Sequence, residues 1–567
     1  MARSIFQDIA IIVFYFTAAV FLVGLPIHFE FYKRISATVS TDPIDFLWWL
    51  ARWPHTFATQ SSPFYTHLIR APVGQNIAWT TCIPGLAILL SPVTLAGGAI
   101  LSFNVAAVTA PAMAATGLYL ACRELDLPWQ SALFGGWLFG FSSYEFAQLL
   151  GELNLAVVWA LPFLLWLFLL RLHERIGRMV FIGSSAMLAA FQFSVSNEVF
   201  ASAVVFASIA MALAVASPAL LRDMPNLKRT IFESGTSLVL SLIILAPYLY
   251  SMLRLASDHA RRSIGLSPSA VIADPLNFFI PTPVLWLGTR VFGPLGHVLA
   301  GGMSDMDAYL GIPLIGIVVL YAWEFGRTPR ARYLLVMLAT FAVLSLGSRL
   351  RILGQIVPVF QPWLIFLHMP LIGKALSARF SLYVSMVAAV IAGMWYARTA
   401  SEPWKKRFAA CLAVLFLVPN VDFPPMRGSL PNPPFFAAGL YRDYIKPGER
   451  VIVLPNGLNM WFQVETGFYF RMVGGSVGGA VPRPFSRIPI YKVLGGGPLI
   501  PNYKLAFREF LRTYKVGAIV IYGPQGASTR ALLASLPARG MVVGGVTIFI
   551  LRPPVDAVLQ HNARKAV

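Results

Sequence analysis

The chain has 567 residues, of which 57% are hydrophobic and only 12% charged, with a mean hydropathy of +0.69. Soluble domains carry about 25% charged residues, so a string of soluble domains is excluded and an integral membrane protein is implied. A net charge of +20 excludes an acidic protein, and because these cations sit between apolar runs rather than on one exposed module, membrane topology accounts for them better than nucleic-acid binding.

About 20 apolar residues carry a helix across the hydrocarbon core. The first such run is Ile9 to Ile27. It follows a short Met-Ala-Arg start and has no small-residue cleavage site, so it reads as a retained anchor with a cytoplasmic N-terminus. The run Ile83 to Ile100 is punctuated by Pro84, Gly85, Pro92, Gly97 and Gly98, which a lipid-exposed helix tolerates poorly. Further runs lie near Leu101 to Cys122, Ser131 to Phe146, Leu155 to Leu172, Met179 to Phe193, Val199 to Ala216, Ile231 to Tyr250, Tyr309 to Trp323, Tyr333 to Leu346, Ser381 to Ala397 and Phe408 to Val418. With the anchor these make about eleven spans.

The basic clusters Arg171/Arg175/Arg178, Arg222/Lys228/Arg229, Arg327/Arg330/Arg332 and Arg398/Lys405/Lys406/Arg407 fall on one side, the cytoplasmic one, only if Ile83 to Ile100 does not cross. That stretch is therefore expected to be juxtamembrane or re-entrant at the outer face. Residues 1–420 then form a polytopic, mainly α membrane bundle with large outer loops at 28–80 and 251–308, and residues 421–567 an extracytoplasmic domain. The cytoplasmic loops are too short to hold a site.

From Val421 the composition changes. Strand-like runs at Arg450 to Leu454, Ala518 to Tyr522 and Met541 to Leu551, the last broken by Gly544-Gly545 in hairpin fashion, flank a helical run from Tyr503 to Tyr514 whose apolar face is expected to be Leu505, Phe507, Phe510 and Leu511. A small α/β domain is the result. It carries 17 basic and six acidic residues, which suits an anionic lipid surface or a charged glycan or simply keeps the domain soluble.

The first outer loop holds Glu30, Asp42 and Asp45 beside Phe46, Trp48, Trp49 and Trp53. Carboxylates that accept a hydroxyl proton, next to rings that offer an apolar platform, suit sugar handling. The plainer reading makes the tryptophans an interfacial belt and Asp42 the cap of a helix starting at Pro43. His55 is close enough to Asp42 in sequence to line the same cleft.

The runs Thr41-Asp42-Pro43, Trp48-Trp49-Leu50-Ala51-Arg52-Trp53-Pro54-His55, Ser62-Pro63-Phe64 and Pro72-Val73-Gly74-Gln75-Asn76 resemble those of bacterial polytopic glycosyltransferases of the GT-C type. Gly140-Phe141-Ser142-Ser143-Tyr144, Gly151-Glu152-Leu153-Asn154-Leu155, Tyr309-Leu310-Gly311 and Ser377-Ala378-Arg379-Phe380 are similar to landmarks of the YfhO-like branch. The resemblance implies a multi-pass enzyme of the bacterial inner membrane. It would move a sugar from a polyprenyl-phosphate donor to a glycan, lipid or protein acceptor at the outer face, by inverting hexosyl or pentosyl transfer. The implied catalytic acids are Asp42, then Asp45, with Trp53, His55, Asn76, Glu152, Arg379 and Asp307 binding substrate. Glu152 departs from the pattern, in which His commonly precedes the Leu-Asn-Leu.

This fits the residues read on their own. Nucleotide sugars are cytoplasmic, so an outer-face enzyme needs a donor that has already crossed, and no Gly-rich phosphate loop is visible. Among the outer cations Arg254, Arg261, Arg262, Arg349, Arg351, Lys374 and Arg379, the last sits at the head of a span, where a guanidinium can grip a phosphate at headgroup depth or snorkel to ordinary lipid. Asp305 and Asp307 can bind acceptor hydroxyls or a divalent cation, which the mechanism does not require, or cap the helix near Tyr309. Scattered histidines and three distant cysteines make no metal or disulfide site. Proline-interrupted segments such as Leu276 to Leu287 and Val357 to Met369 are expected to hug the membrane and line a lipid groove around Trp363 and Phe366. The rival reading is a transporter or flippase of lipid-linked glycans, which the scarcity of charges in the deep spans and the lack of a repeat disfavour.

Overall fold

The computed structural model describes residues 5–254, 273–295, 308–353, 355–368, 375–475, 477–478 and 482–551. The chain folds as two compact units, each assembled from separate stretches: residues 1–39, 83–247 and 266–429 form one, and residues 40–82, 248–265 and 430–567 the other.

The first unit is a helical bundle. Among the described residues six helices are long and apolar enough to cross a membrane: Ile5–Ile27, Ser91–Glu124, Leu153–Leu172, Arg178–Val195, Asn197–Val215 and Ser377–Arg398. A seventh arises if Leu227–Ile244 is taken together with its bent continuation to Arg254, and Ile312–Phe325 is a shorter apolar helix. The stretch rich in proline and glycine is broken twice. Pro84–Leu89 is a separate short helix, and the helix Ser91–Glu124 loses helical geometry at Gly98, whose φ of 83° and ψ of 173° suit only a residue without a side chain. Thr94 and Ser102 bridge this break through their hydroxyls at 2.7 Å.

Close packing rests on small residues. A Cβ on Gly140 would lie 2.5 Å from the carbonyl oxygen of Pro111 and from Cβ of Ala115, and one on Gly136 would lie 2.7 Å from the carbonyl of Ala115. Gly135 and Gly393 likewise face the backbone of Ala389 and Ser131. Helices in lipid gain nothing from burying apolar surface against one another, so backbone approach of this kind supplies the contact.

Ion pairs tie the basic clusters into one end of this bundle. Arg171 grips Glu233 in a buried bidentate pair at 2.6 and 3.1 Å, and Arg229 reaches both Glu233 and Glu174. Arg330 meets Asp223, Arg175 meets Glu124, and Arg123 meets Asp8 near the N-terminus. Three of the four clusters and the start of the first helix therefore share an end.

The second unit is built on a five-stranded mixed sheet in the order Met541–Val543, Val546–Ile550, Ala518–Ile521, Arg450–Leu454, Arg471–Met472. The last two pairings are parallel and the first two antiparallel. Gly544 and Gly545 turn the hairpin with φ of 52° and 84°, the left-handed conformation that a two-residue turn demands. Helix Tyr503–Thr513 buries Phe507, Phe510 and Leu511 in the core with Ile452, Ile519 and Leu532, while Leu505 is exposed. Residues 68–71 run along the sheet edge, with Met472 N–H donating to Leu68 O at 2.8 Å, Arg70 N–H to Gly474 O at 3.0 Å and Ala71 N–H to Met472 O at 2.9 Å.

Glycine-mediated packing makes a direct forecast. Gly140→Ala should lower the thermal midpoint in detergent, since backbone has to move to admit the methyl group, whereas Gly183→Ala, with nothing within 4 Å, should be neutral or stabilising by up to ~1 kcal/mol. Differential scanning fluorimetry of the two variants makes the comparison.

Candidate functional site

The helix Thr41–Thr59 carries the two first-loop acids. Ser40, not Asp42, occupies its N-cap position and makes no side-chain cap bond, so the expectation of Asp42 as a cap fails: Asp42 lies within the first turn and is exposed. There it meets the positive end of the helix dipole. Asp45 is one turn further on and points inward, 6% exposed. Its Oδ2 accepts the backbone N–H of Gly478 at 3.0 Å. Its Oδ1 is buried and meets no hydrogen-bond donor among the described residues. Burial pushes the Asp45 carboxyl well above the usual range; the Gly478 hydrogen bond opposes this and the charge of Asp42 adds to it.

The aromatic residues beside these acids are neither an interfacial belt nor an open platform. Trp48, Trp49 and Trp53 are all buried. Trp48 stands edge-on to Trp49 at 4.8 Å and donates from Nε1 to Gln463 Oε1 at 2.8 Å, and Gln463 in turn donates to Leu68 O and Phe470 O at 2.8 and 3.1 Å. Trp53 donates to Cys82 O at 3.4 Å. The chain of bonds from Trp48 through Gln463 fixes the acid-bearing helix on the helix Asn459–Glu465. His55 lies over Phe468 at 4.6 Å, and burial followed by the charge of Arg52 lowers its pKa. The amide of Asn76 donates to Ser251 O at 3.3 Å and accepts from Ala78 N at 2.8 Å, so it holds the loop together.

Asp42, Asp45, Trp53, His55 and Asn76 thus share the second unit. Glu152 and Arg379 meet in the first. Arg379 Nη1 lies 2.8 Å from Glu198 Oε2 and its Nη2 3.7 Å from Glu152 Oε1, and Glu198 also accepts the N–H of Leu376 at 3.2 Å. One guanidinium faces two carboxylates, so its charge is already balanced. Glu198 lies in the first turn of the helix Asn197–Val215. Asp307, like Asp305, lies outside the described residues. Trp363 is buried against Phe366 and Phe380, at 4.9 and 4.5 Å. Among the described residues no three His, Cys, Asp or Glu side chains converge in a way that could hold a metal ion.

The room for an apolar ligand lies instead within the helical bundle. A chamber of about 770 Å³ is walled by residues such as Leu161, Leu164, Phe168, Phe200, Met337, Phe341, Met386 and Val390. It follows the helix Ser381–Arg398 from Tyr383 to Arg398, about 22 Å at 1.5 Å per residue. Asp126, His173, Asp223, Arg330 and Arg398 line it as well.

Three further polar residues of the second unit were not foreseen. Arg52 and Arg70 are buried, and in each Nε and Nη1 meet no hydrogen-bond acceptor among the described residues; burial lowers them to about 10 and about 9, so both stay cationic at neutral pH. Glu465 is half-buried and burial pushes it up to about 7.

Both raised carboxyls bind a proton more tightly in the folded chain than in the unfolded one, so each favours the folded state at low pH and that advantage is lost as pH rises through its folded pKa. Thermal midpoints should therefore fall between the ordinary carboxyl range and about pH 7, and further as Asp45 ionises. Asp45→Asn and Glu465→Gln should each flatten part of that fall; identical slopes in wild type and both variants would contradict the burial argument.

No family sequence model matches the chain, and neither does the sequence of any curated protein. Solved structures do match. The mycobacterial arabinofuranosyltransferase AftD superposes with a TM-score of 0.53 at 13% identity, over 96% of this chain and 41% of its own. ArnT from Cupriavidus metallidurans in the apo state superposes with 0.52 at 11% identity, over 95% of this chain and 97% of its own, and its complex with undecaprenyl phosphate with 0.49 at 10%. At these identities the likeness establishes architecture. The chain is a polytopic, mainly helical membrane protein with the GT-C fold, carrying an α/β unit that includes its C-terminal part.

Proposed function

We propose that this protein is a membrane glycosyltransferase of the YfhO-like branch that moves a sugar from a polyprenyl-phosphate donor to a glycan, lipid or protein acceptor, with its α/β unit at the outer face of a bacterial inner membrane. The observation that carries this reading is Asp45: a buried carboxyl with raised proton affinity, one oxygen held by Gly478 and the other open to a donor. A group poised in this way suits removal of a hydroxyl proton. The ionised Oδ1 accepts the acceptor's proton as its oxygen bonds to the anomeric carbon, and the bond from that carbon to the phosphate oxygen breaks, releasing polyprenyl phosphate with inversion. Asp42, one turn away and exposed, raises the proton affinity of Asp45 through its charge. The bundle's apolar chamber, taken by itself, has room for part of an isoprenoid chain. Arg379 acts as a positioning residue that ties the segment at Leu376 to the helix Asn197–Val215 through Glu198. The GT-C architecture supports the same reading, since AftD is by name an arabinofuranosyltransferase.

Transfer from a polyprenyl-phosphate sugar in detergent tests this. Asp45→Asn should lower turnover by about 10²- to 10⁴-fold, Asp42→Asn by less, and the wild-type rate should rise with pH along a limb above the ordinary Asp range. Unchanged turnover in both folded variants would overturn the assignment of the base. No transfer with any donor, combined with passage of the lipid across liposomes, would favour a flippase, for which the chamber would also serve. Leu164→Trp, which narrows the chamber, should raise KM for a long-chain donor and leave a short-chain analogue unaffected.

A further inference from the structure

Arg70 is among the most fully buried large side chains of the protein, 2% exposed. Its backbone is held tightly: it adopts a φ of 54°, donates its N–H to Gly474 and accepts the N–H of Gly74 at 2.9 Å. Its guanidinium lies over the ring of Tyr491 at 4.7 Å and over that of Phe485 at 5.7 Å. The two rings are in edge contact with each other, centroids 5.2 Å apart and planes at 70°, so both stand on one side of the guanidinium. Among the described residues no acceptor meets Nε or Nη1, and no carboxylate forms an ion pair with Arg70. Buried cations are ordinarily paired, because an ion out of water without a counter-charge is strongly destabilising. Ring contacts offset only part of that cost.

We propose that Arg70 is the core of an oxyanion-binding site in the α/β unit, taking a phosphate or carboxylate group of a ligand into the plane of its guanidinium. Of the two rings beside it, Tyr491 is half-exposed and Phe485 is buried. A planar guanidinium pre-oriented by a ring suits two-point recognition of such a group, which an ammonium cannot reproduce. The site does not depend on the transferase reading. If that reading holds, the group belongs to a charged substrate, which makes charge on the ligand a determinant of specificity.

The test is thermal stabilisation of the full-length chain in detergent by inorganic phosphate and, separately, by acetate, each against chloride at equal ionic strength. Wild type should be stabilised by at least one of the two in a saturable manner, with Arg70→Gln abolishing the response and Arg70→Lys weakening the apparent affinity by about tenfold or more. A response to phosphate assigns a phosphorylated ligand and a response to acetate a carboxylated one. Arg530→Gln, which removes an exposed cation of the same unit, should keep the response. Should Arg70→Gln fail to fold, Arg70→Lys and Tyr491→Leu carry the comparison. Equal responses in wild type and Arg70 variants, or no oxyanion effect beyond that of chloride, would overturn the proposal.

Discussion

Removing a charge from water has to be offset, and each unit of this protein holds buried ionisable groups that are paired and others that are not. In the helical bundle the buried Glu233 has Arg171, the buried Glu124 has Arg175 and the half-buried Glu198 has Arg379, whereas neither carboxylate oxygen of the buried Glu145 meets a donor among the described residues. Such pairs lock helices together and leave little capacity for a ligand. In the α/β unit Asp45, Arg52 and Arg70 are buried with polar atoms unmatched. Unmatched groups destabilise a fold by about 1–3 kcal/mol each, and they concentrate where a ligand completes the set. Asp45, the proposed base, is one such group.

The bundle contributes something different. Its small-residue contacts bring backbones close around Gly136 and Gly140, and its larger apolar residues stand apart around the chamber that runs along the helix Ser381–Arg398. Tight packing on one side of the bundle and an unfilled apolar volume on the other are what a protein needs if it must stay rigid while admitting a flexible hydrocarbon chain. The polar residues at the chamber wall, Arg330, Arg398, Asp126 and Asp223 among them, include the cation clusters that sequence reasoning places in the cytoplasm.

Much of this architecture was legible because it rests on local patterns. Gly544-Gly545 gave the hairpin, and the apolar runs located helices, although of about eleven expected spans six, or seven with the bent pair, are long and apolar enough to cross among the described residues, and residues 91–100, expected to lie outside the crossing helices, begin one of these six. Where local pattern was read too generously the result suffered. Leu505 is two positions from Phe507, about 200° around a helix, and so it points away from the face formed by Phe507, Phe510 and Leu511. The acids of the first loop were legible as residues, but their environments were not. Trp48 is fixed by Gln463, 415 residues later, Asp45 by Gly478, and Arg70 lies beside rings more than 400 positions away. No window of sequence contains such pairs, and the burial of the three tryptophans, which turned a supposed sugar platform into core, follows from the same distant contacts.

The central claim is that Asp45 holds its proton at a pH where a solvated aspartate has lost it, and releases it to become a base. Infrared difference spectroscopy of the carboxyl stretch, comparing wild type with Asp45→Asn across a pH titration, tests this most directly. A protonated-carboxyl band that persists above the ordinary aspartate range, disappears as pH rises further and is missing from Asp45→Asn is the result expected; a spectrum in which Asp45 ionises within the ordinary aspartate range would contradict the account.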